Sequence, residues 1–309
     1  MKPGCSISPP EVETMSRQVS PSSGRPYGLA RVSRVWGIAR PTVYRFRHPS
    51  STPVHRPGPS GPMPDAALVE AIRAVLTSSG FHGEGYRKVW ARLRFAGIRT
   101  SRRRVLRLMR EHGLLAHQRT GAARGPRSHA GTITTERVDT MWGADFTTIL
   151  TGEGQAAVFI AVDHCSAECV GIHAARRATR FEALEPIRQG VRRHFGAFGP
   201  KIAAGLTVRH DHGSQYVAND FQKELAFLGI DSSPAFVRAP EGNGCAERFI
   251  RTLKENLLWI RPFDTVEELR QAVLAFKERY NQTWIVERLG YRTPAQVRAE
   301  QLSPAALAA

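Results

Sequence analysis

Cysteine is scarce in this chain: Cys5, Cys165, Cys169 and Cys245 are the four in 309 residues. So few, so unevenly spaced, cannot form the disulfide framework of a small secreted domain, and they suggest a reducing compartment. Cys165 and Cys169 follow His164 with three residues between them. A zinc site would need a second ligand pair at matching spacing, and none is present, so these are read as small buried thiols. Long apolar runs are missing too. Nothing approaches the roughly 18 residues of a membrane span, and the first residues, MKPGCSISPPEVETMSR, lack the apolar stretch of a secretory signal. The expectation is a cytoplasmic protein with no membrane partner. At 41% hydrophobic content, the chain can bury a full core in two or three domains.

Acidic residues are scarce only in the first part. Residues 1–135 hold 23 Lys and Arg against 6 Asp and Glu, and residues 136–309 hold 21 of each, so the whole formal charge of +17 lies in the first part. A basic region joined to a neutral one reads as a polyanion-binding segment beside a catalytic or interaction domain. A merely solvated charged face is the alternative. If the reading holds, a 136–309 fragment should keep its fold and lose nearly all salt-dependent binding.

Punctuation divides the chain further. Residues 1–26 are rich in Ser and Pro and read as a loose arm. Residues 27–46 read as two short helices turning at Gly37, with Val32, Val35, Trp36 and Ile38 as the apolar face and Pro41 opening the second helix. Arg45 and Arg47 lie on that second helix, in a helix-turn-helix pattern. Residues 49–64 are a linker by composition. Asp65 is suited to cap a helix through Leu68, Ile72 and Val75. A second helix carries Val89, Trp90 and Leu93. A third, begun by Thr100 and Ser101, carries Val105, Leu106, Leu108, Met109 and Leu114. Arg102, Arg103, Arg104, Arg107 and Arg110 stud the third helix, and phosphate contacts account for them better than solubility does. Residues 116–135 form another linker. Strands are then expected at 138–149, 156–162, 169–173 and 206–210, with a short one at 233–237. Helices are expected at 181–194, 221–228 and 266–280.

Three acidic residues fall at telling places in this pattern. Asp145 lies in the first strand, Asp211 closes the fourth, and Glu247 lies in the first turns of a helix after the Pro- and Gly-rich loop at 239–244. Between Asp211 and Glu247 there are 247 − 211 − 1 = 35 residues. Two divalent ions about 4 Å apart can clamp the attacking and leaving oxygens of a phosphoryl transfer, and carboxylates suit such hard cations. On the Glu247 helix, Phe249, Ile250, Leu253 and Leu257 form the inward stripe. Glu247, Arg251, Lys254 and Leu258 lie opposite. An exposed Glu–Arg pair worth about 0.3–0.5 kcal/mol is the bland reading of that face.

The blocks WGADFT, RHDHGSQY and PEGNGCAERFIRTLKE resemble the catalytic core of DDE transposases and retroviral integrases, and most of all the orfB-type transposases of bacterial insertion sequences. Gly242 and His210 depart from the usual residues, but neither is one of the three acids. The resemblance extends over most of residues 27–298. It includes the helix-turn-helix segments and a C-terminal Tyr280-Asn281 followed by Leu289-Gly290-Tyr291-x-Thr293-Pro294, whose expected role is packing onto the core.

The resemblance implies an α/β fold, a ribonuclease-H-like mixed sheet flanked by helices and preceded by small all-α helix-turn-helix domains. In that fold the first and fourth strands are neighbours, which would unite Asp145 and Asp211 across 66 positions. The implied domains are an arm and first helix-turn-helix at 1–48, a second helix-turn-helix at 65–115, a catalytic core with C-terminal helices at 136–298, and a tail at 299–309. Asp145, Asp211 and Glu247 would be the catalytic, metal-binding triad for two Mg²⁺ or Mn²⁺ ions. The Arg residues named above, with Arg251 and Lys254, would hold double-stranded DNA, both element ends and target. The implied activity is transposition: metal-dependent strand cleavage and strand transfer, by a homo-oligomer on DNA, with a possible partner reading-frame protein. The alternatives are a non-catalytic DNA-binding protein derived from a transposase and a simple metal nuclease. Asp163 could be a fourth acidic ligand or could close a strand turn. His210 and His212 flank Asp211, and either could touch a phosphate. Ser214 has no His/Asp arrangement around it to make it a nucleophile.

Overall fold

A computed structural model describes residues 8–47, 63–116, 133–235 and 243–303. The chain forms two units, one ending at Ser60 and one starting at Gly61. Cys5, most of both linkers, the 239–242 part of the Pro- and Gly-rich loop, the end of the expected fifth strand at 236–237 and most of the tail lie outside the described residues.

Among its described residues the first unit has three helices: α1 (Pro9–Arg17), α2 (Leu29–Val35) and α3 (Arg40–Arg47). The expected arm is thus folded from Ser8 onward. Its start is fixed by Glu11, whose carboxylate accepts from the backbone N–H and the hydroxyl of Ser8, with Pro at the first helical positions. Val12 of α1 then joins Val32 and Val43 in a small core, against which Trp36 and Ile38 pack. Val35, expected on that apolar face, is 73% exposed. Gly37 makes the turn at φ 68°.

The second unit begins with α4 (Asp65–Ser78), α5 (Tyr86–Phe95) and α6 (Arg102–Glu111). Leu68, Ile72, Val89, Leu93, Val105, Leu108 and Met109 form their common core. Ser101 caps α6 by accepting from the N–H of Arg104. Asp65 does not cap α4. It lies one residue inside the helix and takes Arg104 at 2.7 Å and Arg107 at 2.6 Å.

A five-stranded sheet comes next: β1 (Met141–Thr151), β2 (Gly154–Asp163), β3 (Cys169–Ala175), β4 (Thr207–His210) and β5 (Asp231–Pro234), in the order β3-β2-β1-β4-β5. β1 runs antiparallel to β2 and parallel to β4, the neighbour relation the ribonuclease-H-like fold requires. β1 starts at Met141 rather than 138 because Asp139 turns the chain at φ 58°. Helices cover both faces, so β2 is buried almost throughout. Val158, Ile160 and Val162 face α10 (Gly244–Leu253) and α11 (Val266–Thr283). Ala157, Phe159 and Ala161 face α7 (Arg180–His194) and α9 (Asn219–Leu228), which comes after the single turn α8 (Ser214–Val217).

α10 does not run on as a regular helix. Lys254–Leu258 form a π-helical turn, which holds one more residue than an α-turn and so rotates the later side chains about the helix axis. Leu258, expected outward, is therefore buried, while Leu257 is only half-buried. Asn256 is also turned inward, donating to Thr252 O and accepting from the N–H of His82 at 2.7 Å.

The C-terminal motif packs onto the core as expected, and α12 (Pro294–Gln301), which the residue pattern did not predict, belongs to it. Asn281 acts as a short extension of the sheet, accepting from Cys169 N–H at 2.9 Å and donating to Cys169 O at 3.0 Å. Arg298, 8% exposed, pairs with Asp139 and Glu168. Arg288 donates to the carbonyls of His164 and Cys165.

The α4–α6 bundle is not separate from this core. Phe81 enters the main cluster beside Phe276 and Trp284, and Ala91 of α5 packs on Ile285 and Tyr291. A 136–309 fragment would leave that apolar surface bare, which argues against the expectation that it keeps its fold. The same contact buries the Lys88 ammonium, 2.8 Å above the Trp284 ring centre and without a hydrogen-bond partner among the described residues. Burial pushes this lysine down to about 7, against the opposing charge of Glu84 and with the help of Arg92. Between that value and the ordinary lysine value, the unfolded chain holds a proton that the folded chain releases, so stability rises with pH. Below about pH 7 the full cost of the buried charge is present. Urea melts between about pH 7 and 8, where the unfolded thiols are still mostly protonated, should show wild type gaining stability faster than Lys88→Met, by up to about 1.4 kcal/mol per pH unit. The comparison cancels the opposite contribution of Asp145, which both chains share, and equal slopes in the two chains would refute the assignment.

Candidate active site

Parallel pairing builds the first half of the site. Trp142 lies against Val208 and Gly143 against Arg209. Carried two residues further, this register brings Asp145 beside Asp211. Asp145 is half-buried, and its carboxylate accepts from the N–H of Phe146 at 2.8 Å. Asp211 lies exposed just past the end of β4 and accepts from Gly213 N–H at 2.8 Å. A side chain at position 213 would lie 2.9 Å from Asp211 Oδ1 and 2.5 Å from Gln215 Nε2, so it would displace those side chains.

The second half depends on Asn243, just before α10. It is buried, and its Nδ2 donates to Ala144 O at 2.9 Å, which ties the start of α10 to β1 next to Asp145. The tie needs Gly143, because a Cβ there would lie 2.5 Å from Asn243 Oδ1 and 2.9 Å from His164 Nε2. One turn further on, α10 presents Glu247. Sequence reasoning missed Asn243 and Gly143. The available signal was a glycine two residues before one acid and an amide four residues before another. Gly143→Ala should lower stability by about 1–3 kcal/mol, as overpacking does, and reduce cleavage more than DNA binding; thermal melts and a nicking assay check this.

Electrostatics also joins the three acids. Burial pushes the Asp145 carboxyl up to about 7. The Phe146 N–H opposes this, the charges of Asp211 and Glu247 add to it, and Lys254 opposes it. Burial likewise raises Glu247, although that residue is largely exposed. Beneath the aspartates lies Tyr216, 1% exposed, whose hydroxyl has no hydrogen-bond partner among the described residues and which feels both charges. Among the described residues no three His, Cys, Asp or Glu side chains stand in position to hold one ion. The chemistry of the donor set nevertheless suits hard divalent cations, since it offers only carboxylate oxygens, and their mutual repulsion is what a cation relieves.

The other candidates are distributed unevenly. His210 is buried against Tyr216, with its ring nitrogens on Asp211 O and Ser232 Oγ, so it cannot reach a phosphate. His212 is exposed beside Asp211. Asp163 closes the strand turn, accepting from Ser166 N–H and hydroxyl and from Asp139 N–H. The thiols of Cys165, Cys169 and Cys245 donate to the carbonyls of Glu136, Gly171 and Asp163. Arg251 is exposed and Lys254 half-buried on the Glu247 side of α10. On α6, Arg103 and Arg110 are exposed and without a partner among the described residues, whereas Arg104 and Arg107 pair with Asp65. Arg102 lies over the Trp90 ring at 4.3 Å. In the first unit Arg45 bonds Pro41 O, and Arg47 pairs with Glu13 over the Tyr44 ring. No helix among the described residues is long and apolar enough to cross a membrane.

Residues 135–240 and 228–294 match two family models described as Integrase core domain, and residues 64–121 match one described as HTH-like domain. The chain is 30% identical over 220 residues to the Escherichia coli transposase InsD for insertion element IS2A/D/F/H/I/K, covering 69% of this chain and 72% of that one. InsD of element IS2D from Escherichia coli strain K12 matches equally. Among solved structures, the catalytic core domain of BIV integrase is 20% identical with a TM-score of 0.41, covering 53% of this chain and 95% of that one. With the integrase-core match and this degree of likeness to InsD, the chain belongs to the insertion-element transposases that carry an integrase core domain and an HTH-like domain.

Proposed function

We propose that this transposase binds the ends of its insertion element and catalyses metal-dependent strand cleavage and strand transfer. The observation that carries the reading is the convergence of Asp145, Asp211 and Glu247 from two neighbouring strands and the helix tied to them. These three side chains would hold two Mg²⁺ or Mn²⁺ ions. Such ions, when bound, lower the pKa of an attacking water or 3′-hydroxyl and stabilise charge at the phosphate. Lys254, within electrostatic reach of Asp145, would hold a DNA phosphate beside the reacting one, and Arg251 the next. Asn243 would keep Glu247 on the β1 side, and Gly213 would keep Asp211 in its turn.

We assign DNA reading to the 65–115 bundle and to the helix-turn-helix of residues 1–48, and catalysis to 136–298. Arg103 and Arg110 offer the freest cations on α6. A multimer that pairs two ends, with a possible partner reading-frame protein, completes the proposal. The test is a strand-transfer assay on end DNA. Mg²⁺ or Mn²⁺ should support joining, whereas Ca²⁺, larger and more loosely coordinated, should support binding with little chemistry. Joining at full rate in a chelator would refute the mechanism, and no joining in any metal would favour the non-catalytic DNA-binding alternative.

A further inference from the structure

The C-terminal motif has no place in the chemistry, yet its side chains hold the α4–α6 bundle. Trp284 stacks edge-on against Phe81 at 4.8 Å and lies beneath Lys88. Tyr291 meets Trp90 edge-on at 5.9 Å. Ile285 and Tyr291 enclose Ala91, which is 1% exposed. Both carboxylate oxygens of Glu287 accept from Arg87 at 3.1 Å. Arg92 is fixed by the buried Glu84 and donates to Thr283 O at 3.2 Å. The contact thus has an apolar centre, a hydrogen-bonded rim and a buried ion pair, like an interface that stays closed.

It also reaches the catalytic helix. Asn256, in the π-helical turn that ends α10, accepts from His82 N–H, and Phe81 packs in the cluster that holds Phe249 of α10. Glu247 and the loop before α5 are therefore joined through one short helix. The extra residue of the π turn is what directs Asn256 inward for this.

We propose that the segment Thr283–Tyr291 is a clamp that fixes the α4–α6 bundle to the Glu247 helix, so that the distance from bound end DNA to the carboxylates selects the phosphate that is cut. This rests on the functional reading above. The clamp residues touch neither DNA nor metal; they are positioning residues. A misplacement of about 1 Å at a reacting centre can cost about a hundredfold in rate. A loosened clamp therefore lowers cleavage at the normal phosphate and distributes it over neighbours.

Ala91→Glu is the opening variant. It puts a charge between Ile285 and Tyr291 and leaves the bundle's own core, in which Ala91 takes no part, intact. Tyr291→Ala is a milder opener, and Lys88→Met, which removes the unpaired ammonium, should keep the clamp shut. Full-length variants are compared on end-labelled element-end DNA with Mn²⁺, by gel shift, by mapping of each cut phosphate, and by hydrogen exchange at α5. The expected result for Ala91→Glu is faster exchange at α5, end affinity within about threefold of wild type, and about a hundredfold loss at the normal position with new cuts nearby. Tyr291→Ala should give a weaker form of the same pattern, and Lys88→Met should cut like wild type. Unchanged cutting in a variant whose α5 exchange shows the contact open would overturn the clamp alone. Faster cutting at the same phosphate would also overturn it, in favour of a latch that restrains the enzyme. A wild-type chain that neither binds nor cuts end DNA would overturn the functional reading and the clamp with it.

Discussion

Asp145→Asn, Asp211→Asn and Glu247→Gln should each reduce cleavage and joining by at least about 10²–10³-fold, the usual cost of removing a charge-stabilising group from an active site, while end-DNA affinity stays near wild type. Each substitution keeps the shape of the side chain and removes one negative charge. For Asp145 the change also relieves the repulsion that Asp211 and Glu247 impose on its buried carboxyl. Asp145→Asn should thus be no less stable than wild type, which separates loss of chemistry from loss of fold. The basic helices are untouched, so binding serves as the internal control. Gel shift and strand transfer on the same preparations are sufficient. Substantial joining by any one variant would remove that residue from the triad.

Why these three acids were legible is a matter of locality. Each has a strong local signal beside it: Asp145 sits within a strand-forming run, Asp211 just after a β-branched one, and Glu247 just after a turn-forming loop. The two aspartates meet by one topological rule, the parallel pairing of β1 with β4, and Glu247 joins them through the tie of Asn243 to β1. Features that depend on distant partners were not legible. Asp65 looks like a helix cap, and it is the presence of Arg104 and Arg107 some 40 positions away that makes it an ion-pair acceptor instead. Leu258 keeps helical phase on paper, but a π turn built to reach His82 reverses its side. Arg298 is an ordinary surface residue by composition, yet it is buried on Asp139 and Glu168, which lie 159 and 130 positions away. The α1 helix is different, since its Ser8-Pro-Pro-Glu11 start is a local signal that was available and was hidden by the Pro- and Ser-rich composition around it.

The docking of the bundle is the largest of these nonlocal effects, and it changes how the charge asymmetry must be tested. The surplus of 17 positive charges lies wholly in residues 1–135, so phosphate contacts from this part should dominate binding. If about 6–10 phosphates are neutralised, affinity for end DNA should fall roughly 10³–10⁵-fold between 50 and 200 mM salt. Truncation at 136 cannot test this, because it would bare Phe276, Trp284, Ile285 and Tyr291. Charge removal in the full chain can. Arg103→Gln and Arg110→Gln remove exposed cations that hold nothing in place among the described residues. Each should reduce the salt slope by about one and weaken all sequences alike. Arg104→Gln and Arg107→Gln should act differently, because these two hold Asp65 at the start of α4. Their loss should cost thermal stability of the bundle along with affinity. Titrations of labelled end DNA across that salt range, beside melting curves, separate the two pairs. If removing Arg103 and Arg110 leaves both affinity and salt slope unchanged, then α6 presents a solvated face and the DNA lies elsewhere on the chain.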